Sequence, residues 1–331
     1  MSAGQLSAGR LVAVMVTYNR LDQLKVSLAR LLDSAPDHLQ AVVVVDNAST
    51  DGTEAWLAEQ TDPRLVVFRS AHNGGGAGGF DQGMRLAAER FDPDWLVVMD
   101  DDARPAPDAL ARFHAKCQSG DLSGVDAVAA AVYHPDDRIC DMNRPWTNPF
   151  WHRDVFLRTL RGGREGFHLG RDDYDTETGQ RIDGGSFVGL FLSRRGREIG
   201  GYPDPSLFIY GDDVLYTLRL TRAGGHIRFD PQLRFEHDFS TLTDGVQRFR
   251  PMWKCYFHHR NLLMIYREAA GLWFWLVLPL VALKWIAKFR HYGDERGTFL
   301  RLVARALRDG LLRRTTADLA TVKRWTGEGQ I

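Results

Sequence analysis

The sequence predicts an α/β fold built on an open, mostly parallel sheet that is flanked by helices. Apolar runs of strand length, rich in valine, alternate with helix-like segments through the first part of the chain. Such runs are typical of βαβ units whose sheet is covered on both faces. After about residue 245 helical periodicity dominates, which predicts a helical carboxy-terminal extension behind the sheet domain.

The elements can be assigned in order. The first four predicted strands are Leu11–Val16, Ala41–Val45, Leu65–Phe68 and Trp95–Met99. The helices between them are Leu21–Leu32, Thr53–Glu59 and Phe80–Arg90. The later elements are strands at Val125–Tyr133, Gly185–Leu192 and His226–Phe229 and a helix at Gly211–Ala223. We expect the polar stretch 136–181 to form loops over the active face, and we divide the chain into domains at 1–245 and 246–331.

Composition excludes two broad classes. The 331 residues include 42 basic and 42 acidic side chains and carry no net charge. Neither a disordered polyelectrolyte nor a strongly basic nucleic-acid binder has this balance. The three cysteines form no CxxC pair, which favours a reducing compartment.

The charge is nevertheless unevenly distributed. Residues 248–331 hold 16 basic against 6 acidic side chains, a net charge of +10, so the rest of the chain carries −10. This tail contains the apolar run Leu272–Leu283, which Pro279 interrupts and which is shorter than the roughly 20 residues that span a bilayer. Three alternatives stay open: a segment lying in an anionic membrane surface, a buried helix, or a re-entrant hairpin. The basic residues that would flank an interfacial segment are Arg260, Lys284, Lys288 and Arg290.

Polar clusters directly follow the first four predicted strands. In an open α/β sheet the carboxyl ends of the strands form the edge where ligands bind. Four clusters at one edge therefore predict a nucleotide-type site, although a single cluster would be ordinary turn chemistry. The clusters are Thr17-Tyr18-Asn19, Asp46-Asn47, His72-Asn73 and Asp100-Asp101-Asp102.

The third cluster continues into a glycine-rich loop, Asn73 to Gly79, that leads into a helix. Glycines let backbone N–H groups approach an anionic ligand at a helix amino terminus. The loop is not a dinucleotide fingerprint, which would follow the first strand, and it lacks the GK[ST] ending of a P-loop. Hydride-transfer and P-loop enzymes are therefore disfavoured.

Two acidic clusters stand out. In a strand-like turn Asp100 and Asp102 can point to one side while Asp101 points away. Carboxylates this close repel each other unless a cation neutralises them, so Mg²⁺ or Mn²⁺ bridging to phosphates is the natural partner. The alternative is that these aspartates bind no metal and only cap the next helix. Asp212 and Asp213 begin a predicted helix, where one of them could serve only as a cap.

Together these motifs resemble the family 2 glycosyltransferases of the GT-A fold over residues 10–240. The glycine-rich loop and the segment PheIleTyrGlyAspAsp at 208–213 are most similar to those of galactofuranosyltransferases. TyrPheHisHisArgAsnLeu at 256–262 resembles the Tyr-x-x-Arg-Asn segment of polymer-building relatives. In place of a Trp-rich strand before the second acidic pair, this chain has Gly184–Gly189, so its acceptor or sugar pocket is expected to differ.

The resemblance implies a role for each motif. Asp213 would be the catalytic base, with Asp212 beside it. Mn²⁺ or Mg²⁺ would be held by Asp100, Asp102 and His237. The nucleotide-sugar would contact Thr17, Tyr18, Arg20, Asp46, Asn47, Asn73, Gly74, Gly75, Gly76 and Asp101.

The implied activity is inverting, metal-dependent transfer of galactofuranose from UDP-galactofuranose to a lipid-linked glycan at the cytoplasmic face of the cell membrane. The implied partners are the nucleotide-sugar donor, a glycan or polyprenyl-linked glycan acceptor and the membrane surface, without nucleic acid, and a homo-oligomer stays open. Three alternatives remain: a dTDP-rhamnose donor, a sugar-nucleotide pyrophosphorylase, and a binding module without activity. A pyrophosphorylase would carry its glycine-rich loop after the first strand and would need no base at Asp213.

Overall fold

The computed structural model describes residues 9–238 and 248–328, which form a mixed α/β sheet with helices on both faces and a helical carboxy-terminal region. The predicted fold class is confirmed. The predicted domain boundary at 245/246 lies outside the described residues. In chain order the strands are β1 (Leu11–Thr17), β2 (Ala41–Asp46), β3 (Leu65–Arg69), β4 (Trp95–Asp100), β5 (Ala103–Pro105), β6 (Ala127–Tyr133), β7 (Gln180–Ile182), β8 (Leu190–Ser193) and β9 (Ile227–His237).

Helices alternate with strands through the first half of the chain, and every described element after β9 is helical. They are α1 (Leu21–Leu32), α2 (Thr53–Ala58), α3 (Gly75–Phe91), α4 (Ala109–Ser119), α5 (Arg153–Gly162), α6 (Arg171–Tyr174), α7 (Arg194–Gly200), α8 (Asp212–Arg222), α9 (Lys254–Ala270), α10 (Phe274–Ala287), α11 (Arg296–Leu311) and α12 (Leu319–Thr326).

The strand order across the sheet is β3-β2-β1-β4-β8-β6-β9-β5, with β7 paired to β9. Strands β1 to β4 are mutually parallel, as βαβ units require. Strand β8 runs antiparallel to both of its neighbours, β4 and β6. The carboxyl ends of β1, β2, β3 and β4 therefore meet at one edge of the sheet.

Alternating side chains of the sheet enter two separate apolar layers. In β1, Ala13 and Met15 pack with residues of α1 and α4, whereas Val14 and Val16 pack with residues of α3. Alternation sends successive strand residues to opposite faces, so the continuous apolar run of β1 is buried on both sides. This explains why the first strands show no polar alternation in the sequence.

Helix α3 begins five residues earlier than predicted, because the glycine-rich segment is itself helical from Gly75 onward. The prediction of a loop before Phe80 was wrong. A Cβ on Gly79 would collide with the side chain of Val16, and one on Gly83 would lie 2.6 Å from Val14 Cγ1. The glycines therefore let α3 lie close against β1.

Other boundaries also differ from the prediction. The strand expected at Gly185–Leu192 is the short strand β8, because Gly189 has a left-handed φ of +70° just before it. Strand β9 runs eight residues past Phe229 because it pairs with β6 and then with β5. The stretch 136–181 is not only loops, since it contains α5 and α6.

Helix α9 is packed into the body of the protein rather than lying on its surface. Met264 and Ile265 share an apolar cluster with Leu215 and Leu218 of α8. Arg260, predicted to flank a membrane segment, is fully buried, and this part of the prediction was wrong.

Helix α10, in contrast, leaves most of its apolar residues exposed or half-exposed, and only Phe274 and Trp285 are buried. The run Lys254–His291 is long and apolar enough to cross a membrane by length and composition, and 17% of its most apolar window is buried. Gly271, with a φ of +54°, nevertheless ends α9 before α10 begins. At 1.5 Å per residue the 14 residues of α10 extend about 21 Å, less than the roughly 30 Å of a hydrocarbon core.

We expect Gly83→Ala to destabilise the protein by about 1–3 kcal/mol, because the added methyl group overpacks the α3–β1 contact. Gly78→Ala is the matched control, since a Cβ at Gly78 has no neighbour within 4 Å and alanine favours the helix. Urea unfolding of both variants measures the difference. Equal stabilities of the two variants would contradict the packing argument.

Candidate active site

Three potential metal ligands converge at the end of β4. One ligand atom from each of Asp100, Asp102 and His237 lies within 4.8 Å of the other two. The turn after β4 leads directly into β5, whose Ala103 pairs with His237 of β9. The histidine therefore reaches the acidic run through strand pairing, although 134 residues separate it from Ala103.

The triad is electrostatically coupled. Burial raises the pKa of Asp100 to about 7, and the charge of Asp102 adds to this effect. Burial alone would lower the pKa of His237, but the hydrogen bond between its Nε2 and Asp102 Oδ1, 3.0 Å long, raises it to about 10. The pKa of Asp102 is lowered despite burial, because His237 and Arg20 stabilise its negative charge.

Asp101 points away from the triad and joins a second network. Thr17 Oγ1 at the end of β1 donates a hydrogen bond of 2.7 Å to Asp101 Oδ2. Burial raises the pKa of Asp101 to about 6. Arg20 connects the two networks, because its guanidinium pairs with Asp102 and lies 3.5 Å from Asp101 Oδ1.

The donor set of the triad fits a divalent cation. Two carboxylates and one neutral imidazole are ligands that Mn²⁺ and related ions accept, so an ion bound there would displace the proton of His237. Asp102 and His237 are buried, so an ion there would neutralise charge that water does not screen. The residues do not decide between Mn²⁺ and Mg²⁺.

The loops after β2 and β3 meet each other at the same edge of the sheet. Asn47 Nδ2 donates to the carbonyl of Gly75 at 2.8 Å, and Asn73 Oδ1 accepts from the backbone N–H of Gly75 at the same distance. Asp46 accepts a hydrogen bond from the backbone N–H of Ser49. The start of α3, which includes Gly74 and Gly76, is therefore fixed by residues from two strand ends. Tyr18 is 44% exposed at the rim.

Sequence analysis missed Arg69, the last residue of β3. Its guanidinium pairs with Asp46 and lies 3.3 Å from Glu54 Oε2. The rule that identified the other residues, a polar side chain at the carboxyl end of a parallel strand, applies equally to Arg69. An open cavity beside this edge is lined by Asn19, Arg20, Asp51, Asp102 and Asp238, together with Leu21, Asp22 and Gln23.

Asp212 and Asp213 form the first turn of α8. Burial raises the pKa of Asp213 to about 6, although the backbone N–H groups of Val214 and Phe187 stabilise its carboxylate. Burial and the charge of Asp213 raise the pKa of Asp212 well above its usual range. The charge of Asp213 also contributes to the raised pKa of Asp100. The second acidic pair and the triad therefore occupy one electrostatic environment.

A mixed α/β sheet with an acidic triad at the carboxyl ends of its strands and a second acidic pair at the start of α8 is the arrangement expected of the GT-A fold. Residues 12–170 match the family described as Glycosyl transferase family 2. These residues therefore carry a glycosyltransferase family 2 domain.

Similar proteins agree with this assignment. The galactofuranosyltransferase GlfT1 of Mycolicibacterium smegmatis is 30% identical over 217 residues, which cover 64% of this chain and 65% of that protein. GlfT1 of Mycobacterium tuberculosis strain H37Rv is 33% identical over 220 residues, with 64% of each chain covered. The match spans less than two thirds of the length of these relatives.

A solved structure shows the same fold at low sequence identity. The mannosyltransferase PcManGT from Pyrobaculum calidifontis, in complex with GDP-Man and Mn²⁺, aligns with a TM-score of 0.51 at 17% identity. The alignment covers 97% of this chain and 84% of that one. It includes the helical carboxy-terminal region as well as the sheet.

Proposed function

We propose that this chain is an inverting, divalent-metal-dependent glycosyltransferase that transfers galactofuranose from UDP-galactofuranose to a growing lipid-linked glycan. The observation that carries the proposal is the placement of Asp213 in the same charged environment as the triad Asp100, Asp102 and His237. A base and a diphosphate-binding site must face each other across the sugar for an in-line displacement. The galactofuranosyltransferase relatives support the choice of donor.

Asp213 is the proposed general base. Its carboxylate removes the proton of an acceptor hydroxyl while that oxygen bonds to the anomeric carbon. The bond from this carbon to the diphosphate oxygen breaks on the opposite face, which inverts the configuration. With a pKa of about 6, Asp213 is ionised at neutral pH and can take the proton.

The residues at the strand ends are the proposed donor site. The residues that would hold the nucleoside are Thr17, Arg20, Asp46 and Asn47, with Tyr18 and Asp101 lining the same region. Asn73 and the glycines 74–76 would lie beside the diphosphate and the sugar, where backbone N–H groups at the start of α3 favour negative charge. A divalent cation held by Asp100, Asp102 and His237 would stabilise the negative charge of the leaving diphosphate.

Helix α10 is the proposed contact with the membrane. Its exposed apolar residues include Leu276, Leu280 and Leu283, which are 64%, 70% and 65% accessible. Lys284 and Lys288 come after these leucines in the chain, and their positive charges would attract anionic lipid headgroups. The cysteines Cys117, Cys140 and Cys255 are free thiols, in keeping with a cytoplasmic location.

The first prediction concerns the base. In a panel of nucleotide-sugars that includes dTDP-rhamnose, with Mn²⁺ and a membrane-lipid extract, UDP-galactofuranose is expected to release UDP fastest. Asp213→Asn should lower kcat by a factor of about 10² to 10⁴ because it removes the general base. Asp212→Asn is the matched control and should retain most of the activity.

The same assay separates the alternatives. Preference for dTDP-rhamnose would overturn the sugar assignment alone, and a loss confined to Asp212→Asn would move the base to that residue. Pyrophosphate release from sugar-1-phosphate and a nucleoside triphosphate would instead identify a pyrophosphorylase.

A second prediction concerns the membrane. The double variant Leu276→Glu/Leu280→Glu should bind anionic phospholipid vesicles at least about tenfold more weakly, because each buried leucine contributes about 1.5–3 kcal/mol. Val26→Glu, at an exposed position of α1, should bind like wild type. Vesicle co-sedimentation measures both variants, and unchanged binding of the double variant would exclude α10 as the contact.

A further inference from the structure

The segment just before the acidic pair of α8 is a strained loop, residues 206–210. Phe208 has φ +68° and ψ −72°, and the N–H of Ile209 donates to the carbonyl of Leu207 at 2.9 Å. This is a γ-turn of the rare, strained form. Tyr210 also has a left-handed φ of +69°. Non-glycine residues in such conformations persist only where surrounding contacts hold them.

Asn261 of α9 supplies the contacts that hold this loop. Its Nδ2 lies 3.0 Å from the carbonyl oxygen of Leu207, 2.8 Å from that of Ile209 and 3.0 Å from that of Tyr210. One side-chain amide therefore faces three carbonyls on both sides of the strained turn. A donor at the centre of three carbonyls fixes their relative positions.

Arg260 completes the arrangement. Its Nη2 donates to the carbonyls of Ser206 and Leu207 at 3.1 and 2.9 Å. Its Nε donates to Asn261 Oδ1 at 2.8 Å, which orients the amide so that Nδ2 faces the loop. Thus the two adjacent side chains form a single hydrogen-bonding unit.

Both side chains are buried, with 0% and 1% exposure. The guanidinium lies over the rings of Tyr256 and Phe257, 5.4 and 5.1 Å from their centroids. Burying a charged group and an amide is unfavourable unless hydrogen bonds compensate. For Arg260 Nη2 and Asn261 Nδ2 the compensating partners are the backbone carbonyls of the loop, whereas Arg260 Nη1 is buried without a hydrogen-bond partner among the described residues.

The loop connects two parts of the candidate active site. Its Phe208 carbonyl accepts from the N–H of Ala77 in α3 at 3.1 Å, and a Cβ on Gly75 would collide with the same carbonyl. In the other direction the chain continues through Gly211 into Asp212 and Asp213. A shift of the loop would therefore move the acidic pair relative to the glycine-rich start of α3.

We propose that Arg260 and Asn261 are positioning residues that hold Asp213 in place through the backbone of residues 206–210. The inference rests on the proposed role of Asp213 as the base. It makes α9 a part of the catalytic unit as well as the element that leads to α10. It also gives a function to the Arg-Asn pair of the segment TyrPheHisHisArgAsnLeu.

The test is Asn261→Ala in the full chain. We expect hydrogen exchange of the backbone amides in 207–215 to accelerate at least about tenfold, because the carbonyls lose their shared donor. We expect kcat for sugar transfer to fall by about a hundredfold, the effect of displacing a catalytic group by about 1 Å. The KM for the donor should change by less than about threefold, since the residues proposed to hold the nucleoside lie on other loops.

Leu263→Ala is the matched control. Leu263 is equally buried on α9 and packs against Gly310 of α11, so its truncation removes apolar packing but no hydrogen bond to the loop. When the variant and the wild type are compared at the same fraction of folded protein, Leu263→Ala should leave kcat near its wild-type value. Hydrogen exchange of the backbone amides in 207–215 should also stay near the wild-type rate. If Asn261→Ala does not fold, Arg260→Lys replaces it, because lysine keeps the charge but cannot bridge the carbonyls and the amide together. For this variant we expect a roughly fivefold to tenfold loss of kcat.

Wild-type exchange and kcat in Asn261→Ala would overturn the proposal, as would an equal loss of kcat in Leu263→Ala. The exchange measurement does not depend on the donor. If the wild type transfers no sugar, the proposed function fails. Faster exchange in Asn261→Ala would still support the positioning of the loop.

Discussion

Negative charge buried at the carboxyl edge of the sheet is the constraint on which the rest of the site depends. Asp100 ends β4, Asp101 and Asp102 follow it, and the charge of Asp213 at the start of α8 acts on Asp100. Burial raises the pKa values of Asp100, Asp101 and Asp213 because water no longer stabilises their charges. Such a cluster is stable only with compensating groups, and the surrounding elements are arranged to supply them.

The compensating groups come from distant parts of the chain. Arg20, which follows β1, and His237, which ends β9, both pair with Asp102, whereas Arg69 at the end of β3 pairs with Asp46 of the adjacent strand β2. A divalent ion and a nucleoside diphosphate would exchange some of these contacts for stronger ones. In the proposed function, these contacts would hold the carboxylates together before the donor binds.

A residue could be placed at the site from the sequence when its position depends on a single predicted strand. Thr17, Asp46 and Asn73 lie at the sheet edge because they directly follow parallel strands. The sequence did not predict contacts that depend on distant packing. His237 was identified only by resemblance, because its position depends on how far β9 extends. Arg260 was placed at the membrane because polarity alone cannot distinguish a solvated arginine from one that binds buried carbonyls.

The central claim is that the triad and the strand-end loops form one metal-dependent nucleotide site. Calorimetric affinity for UDP, measured with Mn²⁺ and with EDTA, tests this claim most directly. We predict that Mn²⁺ strengthens UDP binding at least about tenfold, equivalent to about 1.4 kcal/mol, and that His237→Ala removes the difference. Equal affinity of the wild type for UDP in Mn²⁺ and in EDTA would contradict the account.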